Sequence, residues 1–161
     1  MPLRSTCLCL LLGTAGDGAS QVLLGHKKTG LGTGKIVGLG GHVEPGESVA
    51  EAAAREVWEE SGLTVPQAAL TEAAHVTFLF PARPSWGMNV VIFTAADWSG
   101  EVAESEEIRP QWFPVSALPF DQMWDDAPRW LPRVLAGERL RATFTYADDN
   151  ATVDAEDVVG L

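Results

Sequence analysis

The sequence predicts an α/β sandwich built on a mixed β-sheet. Short β-branched and aromatic runs bounded by turn residues recur along most of the chain, and one long helical segment interrupts them. The length of 161 residues allows one sizeable core but not two ordinary ones. We therefore expect a single domain, residues 1–161, in which the strands enclose the long helix and a second helix lies behind the sheet.

Eight segments are predicted to be strands, from their β-branched and aromatic content and their turn-rich flanks. The last two lie on either side of Asp148, Asp149 and Asn150, which is a turn signal and predicts a final hairpin. The glycine-rich stretch 30–41 is expected to be a loop within the domain. The predicted strands are residues 6–12, 21–27, 40–44, 74–80, 89–95, 111–114, 141–146 and 152–158.

The long helix is located by its two ends. Ser48 and Glu51 form a capping-box pair, and Gly62 followed by an apolar residue is typical of a left-handed C-terminal stop. These signals predict a helix over residues 49–61. A shorter helix is predicted over residues 127–136, where an internal proline is expected to bend or shorten it.

Three acidic residues share one face of the long helix. Glu56, Glu59 and Glu60 fall within one arc of about 100° when residues are placed at helical intervals, and they continue the apolar stripe of the helix. A solvated acidic face would lie opposite that stripe. Because like charges at this spacing repel, a positive group must offset them. A cluster of carboxylates without Cys or His suits a hard cation, Mg²⁺ or Mn²⁺.

Composition limits the partners. Eleven basic and 22 acidic residues give a net charge of -11, which disfavours a nucleic-acid polymer or an anionic membrane surface. The longest apolar run, residues 7–12, is too short to cross a bilayer or to form the core of a signal peptide. We therefore expect a cytoplasmic protein, as a monomer or homodimer.

Cys7 and Cys9 are expected to be small core residues, and the three histidines have no metal-ligand spacing.

The helix and its flanks carry a recognisable signature. Gly41, Glu47 and the run Arg55-Glu56-Val57-Trp58-Glu59-Glu60-Ser61-Gly62-Leu63, at these spacings, resemble the complete signature of the Nudix hydrolases. The resemblance implies the Nudix α/β/α sandwich and hydrolysis of a nucleoside diphosphate linked to another group, with divalent metal held by the helix glutamates. A small nucleotide substrate is compatible with the acidic charge if metal supplies positive charge locally.

Other segments resemble one branch of this family, the MutT-type oxidised purine nucleoside triphosphate hydrolases or 8-oxo-dGTP diphosphatases. They are residues 27–35, which carry three lysines including Lys27 and can wrap a triphosphate, and residues 38–43, 104–113 and 118–126. The resemblance implies that an oxidised purine nucleoside triphosphate is split into monophosphate and pyrophosphate, a reaction that cleanses the nucleotide pool and limits DNA damage.

The same resemblance implies roles for individual residues. Glu56, Glu59 and Glu60 would be metal ligands, completed by the Gly40 carbonyl and Glu104. It offers Glu56 or Glu104 as the general base. Arg55, within reach of Glu51 or Glu59, would hold the carboxylates in place, and Glu47 is expected in the same network.

The expected base pocket departs from the family pattern. The branch usually has Trp-Asn-Gly where this chain has Ile36-Val37-Gly38, so Val37 cannot make the asparagine's hydrogen bond to the purine. The branch also has two aspartates after Met-Trp-Pro, whereas this chain has Asp125, Asp126 and Ala127 after Trp124. Asp125 and Asp126 are therefore expected in the base pocket, and Ala127 takes one of the two aligned positions unless the loop slips by one residue. Trp124 is expected to stack on the base and Phe78 to face it. Loss of polar side chains that hydrogen-bond the base can relax selectivity among bases.

Two alternatives stay open from the sequence. One is a Nudix pyrophosphatase for another substrate, such as a normal triphosphate, a nucleotide sugar or a dinucleoside polyphosphate. The other is a non-catalytic nucleotide-binding module, against which the intact glutamate set argues.

Overall fold

The computed structural model describes residues 3–161 and confirms the predicted α/β class. Within those residues, nine strands form one mixed sheet and two α-helices pack against it. The elements are β1 Arg4–Thr14, β2 Ser20–Lys27, β3 Ile36–Val37, β4 Leu39–His42, α1 Val49–Ser61, β5 Thr71–Leu79, β6 Met88–Ala95, β7 Ile108–Pro114, α2 Ala127–Leu135, β8 Leu140–Tyr146 and β9 Val153–Gly160.

The sheet has the order β3-β2-β1-β6-β5-β8-β9, with β4 paired to β1 and β7 paired to β2. Strand β1 is long enough to pair with β4 along its first half and with β2 along its second half, both antiparallel. The pairs β1–β6 and β5–β8 are parallel, so the sheet is mixed. The predicted final hairpin is β8–β9, and it extends the same sheet through β5.

Each helix covers one face of the sheet. Alternation along β1 sends Cys7, Cys9 and Leu11 into the core beneath α1, while Leu10 joins the core beneath α2. From α2, apolar side chains including Leu131 enter the second core. Both cysteines are free and buried, as the sequence predicts, and burial raises their pKa values to about 11 for Cys7 and about 12 for Cys9.

The main departures from the predicted elements occur where glycine is abundant. The stretch 30–41 is not all loop, because β3 pairs with β2 and β4 begins at Leu39. Glycine lowers the local strand signal, and pairing to strands already present overrides it. Helix α2 continues through Pro132 and ends at Leu135. Between residues 3 and 161, no helix is long and apolar enough to cross a membrane.

Candidate active site

Helix α1 has both of its predicted ends. The Ser48 side chain accepts the Glu51 N–H, and the Glu51 side chain accepts the Ser48 N–H, which completes the capping box. At the other end Gly62 has φ 76° and donates its N–H to the Trp58 carbonyl. These caps fix which residues of α1 face the sheet.

Two of the three helix acids are buried together with the apolar stripe. Glu56 is 9% exposed and Glu60 is 4% exposed, whereas Glu59 lies at the exposed edge of the stripe. One carboxylate oxygen each from Glu56, Glu60 and Glu107 lies within 4.8 Å of the others. We call Glu56, Glu60 and Glu107 the acidic cluster, and its oxygen-only chemistry is compatible with a divalent metal ion.

Burial of these acids has an electrostatic cost. Loss of hydration raises the pKa of Glu60 to about 8, and nearby Glu56 adds to that rise while the Gly40 N–H opposes it. The pKa of Glu56 is also raised by burial, against the opposing effect of Arg55. Among the residues that the structure describes, the Gly40 N–H, 2.7 Å from Oε1, is the sole hydrogen-bond donor to Glu60.

Two glycines of β4 allow the helix acids to approach the sheet closely. A Cβ atom on Gly41 would lie 2.6 Å from Glu56 Oε1, and a Cβ atom on Gly40 would lie 1.9 Å from the Cys7 carbonyl oxygen. At Gly40 the obstacle is backbone, whereas at Gly41 a side chain would displace the Glu56 carboxylate. Gly40 is therefore required by the close packing of β4 on the β1 backbone, and Gly41, the glycine of the signature, leaves space for the Glu56 carboxylate against β4.

Arg55 joins the carboxylates around the cluster. It donates to both oxygens of Glu47, at 2.7 and 3.0 Å, and from Nη1 to Glu56 at 3.0 Å and Glu59 at 3.2 Å. It also donates to the His42 carbonyl at 3.0 Å. The bond from Arg55 lowers the pKa of Glu47 to about 2. The expected contact with Glu59 is present, whereas Glu51 is engaged in the capping box instead.

Glu104 does not lie in the acidic cluster in this structure. Its carboxylate pairs with Lys28, and this hydrogen bond lowers its pKa. Lys28 also donates to the Ser105 carbonyl at 2.8 Å, and its backbone N–H donates to the Glu107 carbonyl. These bonds connect residues 27–35, which we call the lysine loop, to the loop before β7. Glu107 is the acid of the loop before β7 that reaches Glu56 and Glu60.

A cavity of about 510 Å³ opens beside the acidic cluster. The same cavity is lined by residues from the β4 turn, from the lysine loop and from an aromatic group near α2. Five of the predicted site residues other than the cluster acids line it, together with Gly40 of the turn. They are Lys27, Val37, Phe78, Trp124 and Asp126.

The aromatic side of the cavity is built around Trp124 and Tyr146. The two rings meet edge to face with centroids 5.7 Å apart, and Phe80 stacks on Tyr146 at 4.7 Å. The Lys35 ammonium lies 4.9 Å from the Trp124 ring centroid. Phe78 also lines the cavity and stacks on Phe144 at 6.0 Å. Such flat apolar surfaces suit a heteroaromatic ring.

Asp126 is buried within this aromatic group. It is 5% exposed and accepts hydrogen bonds from Trp130 Nε1 at 2.7 Å and from the Tyr146 hydroxyl at 2.5 Å. Burial raises its pKa, and these two bonds oppose the rise. Asp125 does not line the cavity: its carboxylate accepts the Val153 N–H at 2.8 Å and faces Arg129, which anchors β9.

Two residues of this site, Glu107 and Tyr146, were not among those predicted from the sequence. Glu107 belongs to an acidic run in which Glu104 matched the family pattern, and only the fold decides which acid of that run turns towards α1. Tyr146 is the only tyrosine of the chain and lies 20 residues from Asp126, so no local pattern could join them. The parallel pairing of β8 with β5 brings it to the cavity.

Known proteins similar to this chain agree with the geometry. A family model described as NUDIX domain matches residues 2–134. The chain is 43% identical over 134 residues to the oxidized purine nucleoside triphosphate hydrolase of Danio rerio, covering 83% of this chain and 84% of that protein. It is 41% identical over 130 residues to the protein of the same name from Mus musculus, covering 81% of each.

Solved structures share the fold. A MutT protein from Bacillus halodurans superposes with a TM-score of 0.77 over 97% of both chains at 24% identity. A MutT NUDIX hydrolase from Burkholderia pseudomallei gives a TM-score of 0.63 at 25% identity, covering 74% of this chain and 88% of that one. The predicted resemblance and fold are confirmed, and the chain belongs to the Nudix hydrolase family.

Proposed function

We propose that this Nudix hydrolase converts oxidised purine nucleoside triphosphates such as 8-oxo-dGTP into the monophosphate and pyrophosphate. One observation carries the proposal: a single cavity is lined both by carboxylates of the acidic cluster and by an aromatic group that contains a buried carboxylate. The first suits a metal-bound polyphosphate, and the second suits a purine. The names of the relatives from Danio rerio and Mus musculus support the same substrate class.

The acidic cluster fits Mg²⁺ or Mn²⁺. Its donors are carboxylate oxygens, and Glu56 and Glu60 are buried with like charges close by, so a cation would relieve their repulsion. Glu56, Glu60 and Glu107 would hold the ion, and the Gly40 carbonyl, Glu59 and Glu104 are the further ligands that the family pattern adds. When bound, the ion screens the phosphate charge and acidifies the attacking water.

The remaining roles belong to the side chains of the chain itself. Arg55 orients Glu56 and Glu59 and keeps Glu47 ionised beside them. Lys27 lines the cavity and contributes positive charge for the polyphosphate. Trp124 stacks on the base and Asp126 accepts hydrogen bonds from it. Glu56 or Glu104 takes the proton of the attacking water, which requires a carboxylate within hydrogen-bond reach of that water.

The proposal is tested by Mg²⁺-dependent hydrolysis of 8-oxo-dGTP and dGTP, with products separated by chromatography. We expect a higher kcat/KM for 8-oxo-dGTP, with monophosphate and pyrophosphate as products. Glu60→Gln serves as the inactive variant. Glu101→Gln, at an exposed position outside the acidic cluster, is the matched control and is expected to retain activity. Turnover that is equal for the two nucleotides would refute the preference for the oxidised base.

A second candidate is a Nudix pyrophosphatase with broader substrate choice. The observation that favours it is the apolar character of Val37 and Ala127, both of which line the cavity. The MutT branch has polar side chains that hydrogen-bond the base at these positions. A panel of normal triphosphates, nucleotide sugars and dinucleoside polyphosphates separates the two candidates. Turnover by pure protein that is lost in Glu60→Gln would also exclude a non-catalytic module.

A further inference from the structure

Tyr146 forms a closed hydrogen-bond ring with Asp126. The Tyr146 hydroxyl oxygen accepts the Asp126 backbone N–H at 3.3 Å, and the hydroxyl donates to Asp126 Oδ1 at 2.5 Å. Because the oxygen of the hydroxyl is engaged by the backbone, its hydrogen is directed at the carboxylate. Trp130 Nε1, which can only donate, occupies Oδ2. Both oxygens of Asp126 are therefore fixed as acceptors.

The surroundings keep this arrangement rigid. Tyr146 is 2% exposed, its ring stacks on Phe80, and its edge meets Trp124. Tyr146 lies on β8, whose neighbour β5 holds it in parallel register. The Asp126 carboxylate therefore cannot rotate without breaking a bond to a buried donor, and an unpaired buried donor is costly.

A carboxylate fixed in this way selects among purines. Each of its oxygens has lone-pair capacity beyond the bond it already accepts, so Asp126 can receive two further N–H groups. A guanine-type edge presents two adjacent donors, the ring N1–H and the 2-amino group. An adenine-type edge presents the 6-amino donor beside the N1 acceptor, which would face an acceptor oxygen. Val37 and Ala127, which depart from the family pattern and also line the cavity, have no polar side-chain group that could pair with the adenine N1 acceptor.

We propose that Tyr146 is a positioning residue for base specificity: by holding Asp126 as a fixed double acceptor, it makes the cavity prefer guanine-type over adenine-type oxidised purines. The inference rests on the proposed function and refines its substrate class. Tyr146 acts through Asp126, so the effect of removing its hydroxyl should depend on the base and should spare the phosphate chemistry.

The test compares 8-oxo-dGTP with 8-oxo-dATP, which share the oxidised C8 and differ at the edge that Asp126 would contact. Wild-type protein should prefer 8-oxo-dGTP. Tyr146→Phe keeps the ring and removes the hydroxyl, and it should reduce the ratio of kcat/KM values by about 10-fold or more, the scale of one hydrogen bond to a charged group. The change should lie mainly in KM, because the contact is present in both ground and transition states.

Two further variants separate this role from simple structural damage. Thr145→Val removes a hydroxyl from the adjacent position of β8, where the side chain points to the other face of the sheet, and it should leave the ratio unchanged. Asp126→Asn should abolish the preference, and adding Tyr146→Phe to it should change the ratio no further. A ratio within 2-fold of wild type in folded Tyr146→Phe, or an equal fall for both substrates, would overturn the proposal.

Binding of the product monophosphates gives a readout that does not require turnover. Calorimetric titration should show that wild-type protein binds 8-oxo-dGMP at least about 10-fold more tightly than 8-oxo-dAMP. Equal affinities would overturn the inference, even if Tyr146→Phe fails to fold. Failure of the proposed function is seen separately, as the absence of hydrolysis of either triphosphate by wild-type protein. The monophosphate titration still tests the base preference in that case, and repeating it with folded Tyr146→Phe tests the role of Tyr146.

Discussion

The cavity contains two buried carboxylate sites whose charges are stabilised in different ways. Within residues 3–161, Glu60 of the acidic cluster accepts one hydrogen bond, from the Gly40 N–H, and lies close to the like charges of Glu56 and Glu107. Asp126 has two side-chain donors, Tyr146 and Trp130, and lies among aromatic rings. The second site is satisfied by the chain itself, whereas we propose that a cation from outside the chain balances the first. This difference suits one site to a metal-bound polyphosphate and the other to a base.

The largest expected effect is on activity at the acidic cluster. Glu60→Gln removes a carboxylate that we assign to the metal, so we expect Mg²⁺-dependent hydrolysis to fall by at least about 10²-fold, the upper end of the loss seen even for outer ligand partners. Steady-state kinetics with 8-oxo-dGTP measures it. Loss of the same size in Glu101→Gln would show that the effect is not specific to the cluster.

The second expected effect is a pH dependence of stability in metal-free protein. Burial raises the pKa of Glu60 to about 8 in the folded state, above its ordinary value of 4.5. Its contribution is therefore fully present below pH 4.5 and is lost as pH rises towards about 8, because the unfolded chain ionises first. The free energy of unfolding in chelator should fall across this window, by at most about 1.4 kcal/mol per pH unit from this group.

Denaturant titrations at several pH values measure this trend. Glu60→Gln has no such group and should flatten it, and added Mg²⁺ should restore stability most strongly at the alkaline end. A slope that is the same in wild type and in Glu60→Gln would contradict the assignment of this effect to Glu60.

The smallest expected effect concerns the stability supplied by Asp126. Asp126→Asn replaces one acceptor oxygen by an amide donor, so either Tyr146 or Trp130 is left facing a donor in a buried site. We expect a loss of about 1–3 kcal/mol in the free energy of unfolding, with or without metal. Thermal and denaturant unfolding measure it. Unchanged or increased stability would show that the internal hydrogen bonds do not hold this carboxylate.

The sequence predicts the acidic cluster better than the base pocket for a physical reason. The ends and the acidic face of α1 depend on residues within 15 positions of one another, from Ser48 to Gly62, and helical periodicity is sufficient to place Glu56 and Glu60 on the buried face. Glu59 shares their arc but remains exposed, because the sheet covers only part of that arc. Gly41 follows from how closely β4 approaches Glu56 of α1, and the family signature includes this glycine.

The base pocket depends on long-range pairing. Asp126 meets Tyr146 because β8 pairs in parallel with β5, and no local pattern in the sequence specifies that register. Asp125 and Asp126 are neighbours with the same chemistry, yet one anchors β9 and the other enters the cavity. Likewise, sequence alone could not decide between Glu104 and Glu107 in the loop before β7. The fold class and every strand except β3 were predicted from the sequence, whereas these choices require the folded chain.

We propose that the acidic cluster requires a cation and that the Asp126 site does not. Calorimetric titration of Mg²⁺ and Mn²⁺ into nucleotide-free protein at pH 7, in buffers of different ionisation enthalpy, tests it most directly. We predict binding with release of protons, because Glu60 must ionise to act as a ligand, with weaker binding in Glu60→Gln and unchanged binding in Asp126→Asn. Binding that is insensitive to Glu60→Gln, or that is lost in Asp126→Asn, would contradict the account.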